Sequence, residues 1–191
     1  MNINNKDLNK ELKDLQRLIN NFLNGIFEYF KIKDKNNDTV IQDITNNTPK
    51  RMSKTYTEEL FYGLNKDNFP KLNFFQNTYK YDEPVIIDNI SVKSICAHHF
   101  LPFIGKARIG YIPNDKIIGL SKIHKIVDFY SRQPQLQEKL TMDIFNCLID
   151  KLETQNVFVE IQSSHMCIEM RGCKNENSMM FTKKYGGILK K

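Results

Sequence analysis

No apolar run in this sequence approaches the roughly 20 residues that a helix needs to cross a bilayer, which argues against a membrane-spanning segment. The N-terminal stretch MNINNKDLNKELKD is polar and carries charges of both signs, unlike a secretory signal peptide. We therefore expect a cytoplasmic protein that does not associate with a membrane.

Cysteine is scarce, with four residues at Cys96, Cys147, Cys167 and Cys173. Without a secretory signal the chain belongs in a reducing compartment, where burial or metal binding explains cysteines better than a disulfide framework does. Cys147 falls in an apolar helical stretch, and we predict that it is a small residue of the core.

The sequence also lacks internal repeats and a linker that would separate two domains. Its 191 residues suffice for one domain with a hydrophobic core and are few for two. We expect one domain overall, in which residues 1–47 form an N-terminal helix and loop and residues 48–191 form the main domain. The net charge of +6 suits an anionic partner, but the lysines are scattered, so the charge alone does not choose among nucleic acid, membrane and phosphorylated small molecule.

The spacing of apolar residues predicts the regular elements. Steps of three and four residues predict helices at about residues 7–31, 48–63, 121–132 and 135–153. Thr48 and Pro49 are a typical helix cap and first-turn residue, and the polar stretch 33–47 before them predicts a loop. Partial alternation predicts strands at 72–81, 84–95, 105–113 and 156–172, followed by a basic tail. This order of elements indicates an α+β domain.

Two groups of side chains carry candidate metal chemistry. Two residues separate Cys96 from His99, a spacing that lets a thiolate and an imidazole close on one ion such as zinc. On a strand, residues i and i+2 point to the same face, so His165 and Cys167 are expected to project together, with Arg171 four residues further on.

Three protein ligands leave one zinc position open, as a catalytic site needs, and zinc at such a site lowers the pKa of its bound water to about 7. Two other interpretations fit the spacing. One is a packed turn beside a core strand, with no metal. The other is a closed structural zinc site in which Cys173 or His98 is the fourth ligand.

The same residues belong to a longer series of motifs, and over about residues 48–187 the sequence resembles the GTP cyclohydrolase I family. The motifs, in the family's order, are Thr48-Pro49-Lys50-Arg51, Cys96-Ala97-His98-His99, Gly119-Leu120-Ser121-Lys122, Gln135-Leu136-Gln137-Glu138, Ser164-His165-Met166-Cys167 and Met170-Arg171-Gly172. The resemblance implies the T-fold, an antiparallel sheet with helices on one face. In this fold subunit sheets join into an oligomeric barrel, commonly a homodecamer of two pentamers.

The resemblance also implies the reaction. The family's enzymes are zinc hydrolases that open the imidazole ring of GTP at C8, release formate and rearrange the ribose to give 7,8-dihydroneopterin triphosphate. Cys96, His99 and Cys167 match the zinc ligands. His98 and His165 match the acid/base histidines, work that suits a side chain whose pKa is near neutral.

Further positions match the residues that bind the substrate. Ser121 matches a residue of the sugar rearrangement. Glu138, with Gln137 beside it, matches the position that recognises guanine in the family. A carboxylate there can accept hydrogen bonds from both the N1–H and the exocyclic amine of guanine. Without the resemblance, Glu138 would be interpreted as a solvated helix residue. The triphosphate binders are matched by Lys122, Lys125, Arg171 and Arg51, the last of which reaches a neighbouring subunit's site in the family. GTP then accounts for the positive charge without nucleic acid.

The chain departs from the family at three positions. Ala97 stands where Glu is usual, Lys125 where a triphosphate-binding Arg is usual, and Glu169 where an apolar residue is common. The alternatives to a working GTP cyclohydrolase are a non-catalytic, zinc-stabilised nucleotide-binding subunit and the T-fold nitrile reductase of queuosine synthesis. The sequence does not choose among folate, biopterin-like cofactors and 7-deazaguanine bases as the end of the pathway.

Overall fold

The computed structural model describes residues 5–30 and 38–190 of the chain. These residues divide into two compact units, Met1–Glu59 and Leu60–Lys191. The domain boundary between residues 47 and 48 stays a prediction, and that position lies inside a helix. Among the described residues, no helix combines the length and the apolar character needed to cross a membrane.

The first unit contains two helices that pack against each other, α1 (Asn5–Tyr29) and α2 (Thr39–Lys54). Helix α1 confirms the amphipathic helix predicted over residues 7–31, as far as those residues are described. Residues 33–37 of the predicted loop lie outside the described part of the chain.

The predicted start of the second helix at Thr48 is wrong. Helix α2 begins nine residues earlier, at Thr39, because the side chain of Asp38 accepts hydrogen bonds from the N–H groups of Val40 (2.8 Å) and Ile41 (3.2 Å). Pro49 therefore lies inside the helix. The helix also ends early: α2 stops at Lys54, and a turn of π-helix, Thr55–Leu60, follows it.

The second unit is built on a five-stranded sheet. In spatial order its strands are β5 (Pro134–Gln135), β2 (Val85–Cys96), β3 (Pro102–Tyr111), β6 (Val157–His165) and β7 (Met179–Tyr185). The short strand β5 is parallel to β2, and the other pairs are antiparallel. A separate antiparallel pair is formed by β1 (Phe74–Gln76) and β4 (Lys116–Ile118).

Two helices cover one face of this sheet, α3 (Leu120–Ser131) and α4 (Gln137–Leu152). Their apolar faces and the inward side chains of the strands form one buried cluster that includes Val92, Phe103, Ile126, Leu140, Leu148 and Val159. Cys147 is buried in this cluster, as predicted. The alternate side chains of the strands, such as Lys93, Lys106 and Gln162, are exposed. The α+β class, with an antiparallel sheet and helices on one face, is confirmed.

The predictions for residues 156–191 need two corrections. The strand expected over 156–172 ends at His165, and residues Met166–Glu169 form a helical turn, α5, closed by a hydrogen bond from Met170 N–H to the Met166 carbonyl (3.0 Å). The expected basic tail contains strand β7. Its lysines obscured a period of two, in which exposed residues such as Phe181 and Lys183 alternate with half-buried ones.

Candidate metal centre and active site

The candidate site lies where strands β2 and β6 end. Both strands are antiparallel to β3, which lies between them, so their C-terminal ends meet at the same edge of the sheet. Cys96 is the last residue of β2, His165 is the last residue of β6, and Cys167 follows in α5. Strand topology thus brings together residues about seventy positions apart.

Three side chains gather at this edge with donor atoms that suit a metal. The ligand atoms of Cys96, His165 and Cys167 all lie within 4.8 Å of one another. The two Sγ atoms are 3.9 Å apart, and two thiolates on a tetrahedral zinc at about 2.3 Å each would be about 3.8 Å apart. Cys96 is 4% exposed and His165 is 8% exposed. Two sulfurs and an imidazole nitrogen at this spacing fit a borderline-soft ion such as zinc.

His165 and Cys167 do meet, but not as the two residues of one strand that the spacing predicted. That prediction placed both on one strand, where i and i+2 share a face, but Cys167 lies on the helical turn α5. The chain turns directly after His165, and this turn brings the Cys167 thiol to Cys96 at the end of β2.

His99 lies outside this group of three in the structure. Its Nε2 is 2.7 Å from Nη1 of Arg171, and since a guanidinium only donates, the Nε2 lone pair accepts this hydrogen bond. The Nδ1 atom of His98 lies 3.9 Å from the Cys96 sulfur. The role of His99 as third ligand therefore stays a prediction, and metal binding there has to replace the Arg171 hydrogen bond.

The protonation of the group follows from its burial. Burial, with the nearby Cys96 thiol, raises the pKa of Cys167. Burial lowers the pKa of His165, and the negative charge of Glu138 offsets part of that effect. A neutral His165 imidazole and a protonated Cys167 thiol are thus favoured, and metal loading has to release the Cys167 proton.

Gln137 occupies a place that its sequence motif did not indicate. Predicted to contact substrate, it is 1% exposed, and its Oε1 lies 2.9 Å from Nε2 of His165 and 2.5 Å from Oγ of Ser163. Sequence reasoning missed Ser163 and Thr182, which also contact this amide. Ser163 could have been noticed, because alternation along β6 turns it to the same side as the buried Ile161.

The remaining predicted residues are spread over three elements. Ser121, Lys122 and Lys125 lie in the first two turns of α3, where helical N–H groups favour an anion. Glu138 is exposed in the first turn of α4, beside Gln137. Arg51 lies on α2 in the first unit and forms an ion pair with Asp43.

The departure at Glu169 has a local explanation. Its carboxylate lies on α5 and accepts a hydrogen bond from the Ser164 hydroxyl at the end of β6. Because a partner satisfies this charge, Glu169 is accommodated where an apolar residue is common in the family.

Comparisons with known proteins identify the family of this chain. The family model of GTP cyclohydrolase I matches residues 28–191. The chain is 41% identical over 187 residues to the GTP cyclohydrolase 1 of Wigglesworthia glossinidia brevipalpis, covering 97% of this chain and 87% of that one. It is 40% identical over 189 residues to the GTP cyclohydrolase 1 of Blochmanniella pennsylvanica, covering 99% and 80%.

Among solved structures, the archaeosine synthase QueF-Like in its apo form is similar with a TM-score of 0.46 and 18% identity, over 55% of this chain and 95% of that one. The sequence matches extend over far more of the chain than this structural one. Together with the motif order, they show that the chain is an enzyme of the GTP cyclohydrolase I family, whose fold is the T-fold.

Proposed function

We propose that this protein converts GTP to 7,8-dihydroneopterin triphosphate with release of formate, in a zinc-dependent reaction. The observation that carries the proposal is the meeting of Cys96, Cys167 and His165 at one edge of the sheet, in a chain of this family. The reaction is the first step of pterin and folate or 7-deazaguanine synthesis, and we propose a cytoplasmic homodecamer of two pentamers as the working form.

The proposed metal ligands are Cys96, Cys167 and His99. The two thiols are already at the spacing that zinc requires, and the His99 imidazole can bind once Arg171 moves away and frees the Nε2 lone pair. Bound zinc supplies the Lewis acidity that activates water near neutral pH.

The proposed proton-transfer groups are His165 and His98, with Ser121 acting on the sugar. Burial keeps His165 neutral, so it can accept a proton from the reacting guanine at its free ring nitrogen and return it later. The stacked ring of Phe103, with centroids 4.7 Å apart and planes 10° apart, holds the imidazole in place.

The proposed substrate contacts divide by charge. Glu138 accepts hydrogen bonds from guanine, and its negative charge favours the protonated form of His165 against the effect of burial on the His165 pKa. The cations Lys122, Lys125 and Arg171 bind the triphosphate, with Arg51 contributed by a neighbouring subunit.

GTP turnover is the direct test. Zinc-loaded protein incubated with GTP should release formate in equal amount to a pterin that fluoresces after oxidation, while ATP should give neither. Protein that holds zinc and binds GTP without forming either product would contradict the proposal and favour a non-catalytic nucleotide-binding subunit.

Glu138→Gln is expected to lower kcat/KM for GTP about 10- to 100-fold, because a hydrogen bond to a charged group contributes about 1.5–3 kcal/mol. The amide would present a donor to the guanine amine, which also donates. Steady-state kinetics at saturating zinc measure the change. The control is Glu176→Gln, which changes an exposed carboxylate in the loop before β7. Equal kcat/KM for the two variants would show that Glu138 does not recognise guanine.

Arg171→Met is expected to tighten zinc binding about fivefold while raising KM for GTP. The substitution removes the donor that occupies the His99 lone pair, and such a hydrogen bond contributes about 1 kcal/mol. Chelator competition measures the zinc dissociation constant without turnover. Arg108→Met, on the open face of the sheet, is the control. Zinc affinity that falls in Arg171→Met would show that His99 binds no metal or that Arg171 supports the site.

A further inference from the structure

The amide of Gln137 can be oriented from its neighbours. Its Nε2 lies 3.1 Å from the carbonyl oxygen of Ile161 and 3.2 Å from that of Met180. Carbonyl oxygens only accept, so the nitrogen of the amide must face them and the oxygen must face the other way. At 1% exposure, the side chain has no water to compensate for a reversed amide.

This orientation decides which nitrogen of His165 carries hydrogen. Oε1 of Gln137 has no hydrogen to give, and it lies 2.9 Å from Nε2 of His165. Nε2 must therefore donate, and the single lone pair of the neutral imidazole is on Nδ1. The Ser163 hydroxyl donates to the same oxygen.

A closed ring of hydrogen bonds holds the amide in place. Nε2 of Gln137 also donates to Oγ1 of Thr182 (3.0 Å), so its two hydrogens are shared among three acceptors. Oγ1 of Thr141 donates to the main-chain carbonyl oxygen of Gln137 (2.9 Å). The Thr141 hydroxyl has one hydrogen, and the carbonyl bond uses it. In the 2.7 Å contact between the two hydroxyls, Thr182 is therefore the donor and Thr141 the acceptor. Each member has one consistent role, a condition under which buried polar networks rigidify a site.

We infer that Gln137 is a positioning residue that fixes His165 in the Nε2–H tautomer, and that Thr182 on strand β7 fixes Gln137. The inference rests on the proposed function in that His165 exchanges a proton with substrate, and it makes Nδ1 the atom that does so. It also moves Gln137 from contact with guanine to the support of the histidine.

The tautomer can be read by ¹⁵N spectra of the zinc-loaded full chain labelled at the imidazoles of its four histidines, with His165→Asn used to assign the signal. Wild type should show hydrogen on Nε2 of His165, and Gln137→Leu should show a mixture with hydrogen on Nδ1. Hydrogen on Nδ1 in wild type would overturn the inference whether or not GTP is turned over. Failure of GTP turnover with the expected tautomer would contradict only the proposed function.

Kinetics separate positioning from substrate contact. Gln137→Leu should lower kcat about 10- to 100-fold, the usual effect of losing such a support, and leave KM within about twofold. A raised KM with unchanged kcat would mean that Gln137 binds guanine instead. Gln162→Leu, an exposed glutamine on the same strand as Ser163, should match wild type.

A second pair of variants tests the same hydrogen bonds with a smaller change than Gln137→Leu, and so with less risk of misfolding. Thr182→Val keeps the side chain's shape but removes the hydroxyl, and it should lower kcat and mix the tautomers. Thr182→Ser restores the hydroxyl and should recover both. Equal kcat and equal spectra for the two variants would show that β7 does not hold the amide and would overturn that half of the inference.

Discussion

Cys167→Ser is expected to abolish stoichiometric zinc binding and to lower kcat/KM for GTP at least about 1,000-fold. The sulfurs of Cys96 and Cys167 are 3.9 Å apart, a separation that matches two ligands of one zinc ion. Serine keeps the size of the side chain but is a poor ligand for zinc, and the Lewis acid stabilises the transition state by several kcal/mol, each 1.4 kcal/mol being tenfold in rate.

The control for this experiment is Cys173→Ser, which replaces an exposed thiol in the same stretch of chain. It should keep one zinc per chain and full activity. Elemental analysis of metal content and formate release under the same conditions measure both effects. If Cys167→Ser retained zinc and turnover, or if Cys173→Ser lost zinc, the assignment of the metal centre would have to be revised.

Gly105→Ala is expected to lower the free energy of unfolding by about 3 kcal/mol or more, because overpacking a tight contact forces the backbone to move. A Cβ at Gly105 would lie 1.9 Å from the carbonyl oxygen of Gln162 and 2.5 Å from Cβ of Ser163. Both belong to the neighbouring strand β6, and a main-chain oxygen cannot rotate away. Any shift of Ser163 also disturbs the amide of Gln137.

The matched substitution is Gly25→Ala in helix α1. Within the described residues no atom lies within 4 Å of the Cβ that would be added there, so alanine should raise stability by about 0.5–1 kcal/mol through its helix propensity. Chemical denaturation at one fixed protein concentration measures both variants. Equal stability of Gly105→Ala and wild type would mean that strands β3 and β6 are not packed as described.

Helices α3 and α4 were predictable from sequence, because each presents a wide apolar face at a period of 3.6 residues. The start of helix α2 was not predictable from sequence. Asp38 and Thr48 are both acceptable caps by residue type, and only the observed hydrogen bonds to Val40 and Ile41 choose between them. Strand β7 was missed because the adjacent Lys183 and Lys184 make it look like a charged tail.

The candidate site was predictable in part. The two cysteines were expected to share a metal, and their sulfurs do meet. Which histidine joins them depends on side-chain direction after a turn, and neither spacing nor motif order contains that information. The buried amide of Gln137 donates hydrogen bonds to Met180 and Thr182 of β7. Its place in the structure could therefore not be predicted without that strand.

The separation of Cys96 and Cys167 along the chain has a consequence for folding. They are 71 positions apart, so a metal held by both thiolates is a cross-link that closes a long loop through β3, α3, α4 and β6. In the chain-entropy description of disulfides, closing a loop of this length is worth about 4 kcal/mol. Bound zinc would thus link the end of β2 to the helical turn α5 that follows β6. Chelation of the zinc should therefore lower the melting temperature of the protein as well as abolish its activity.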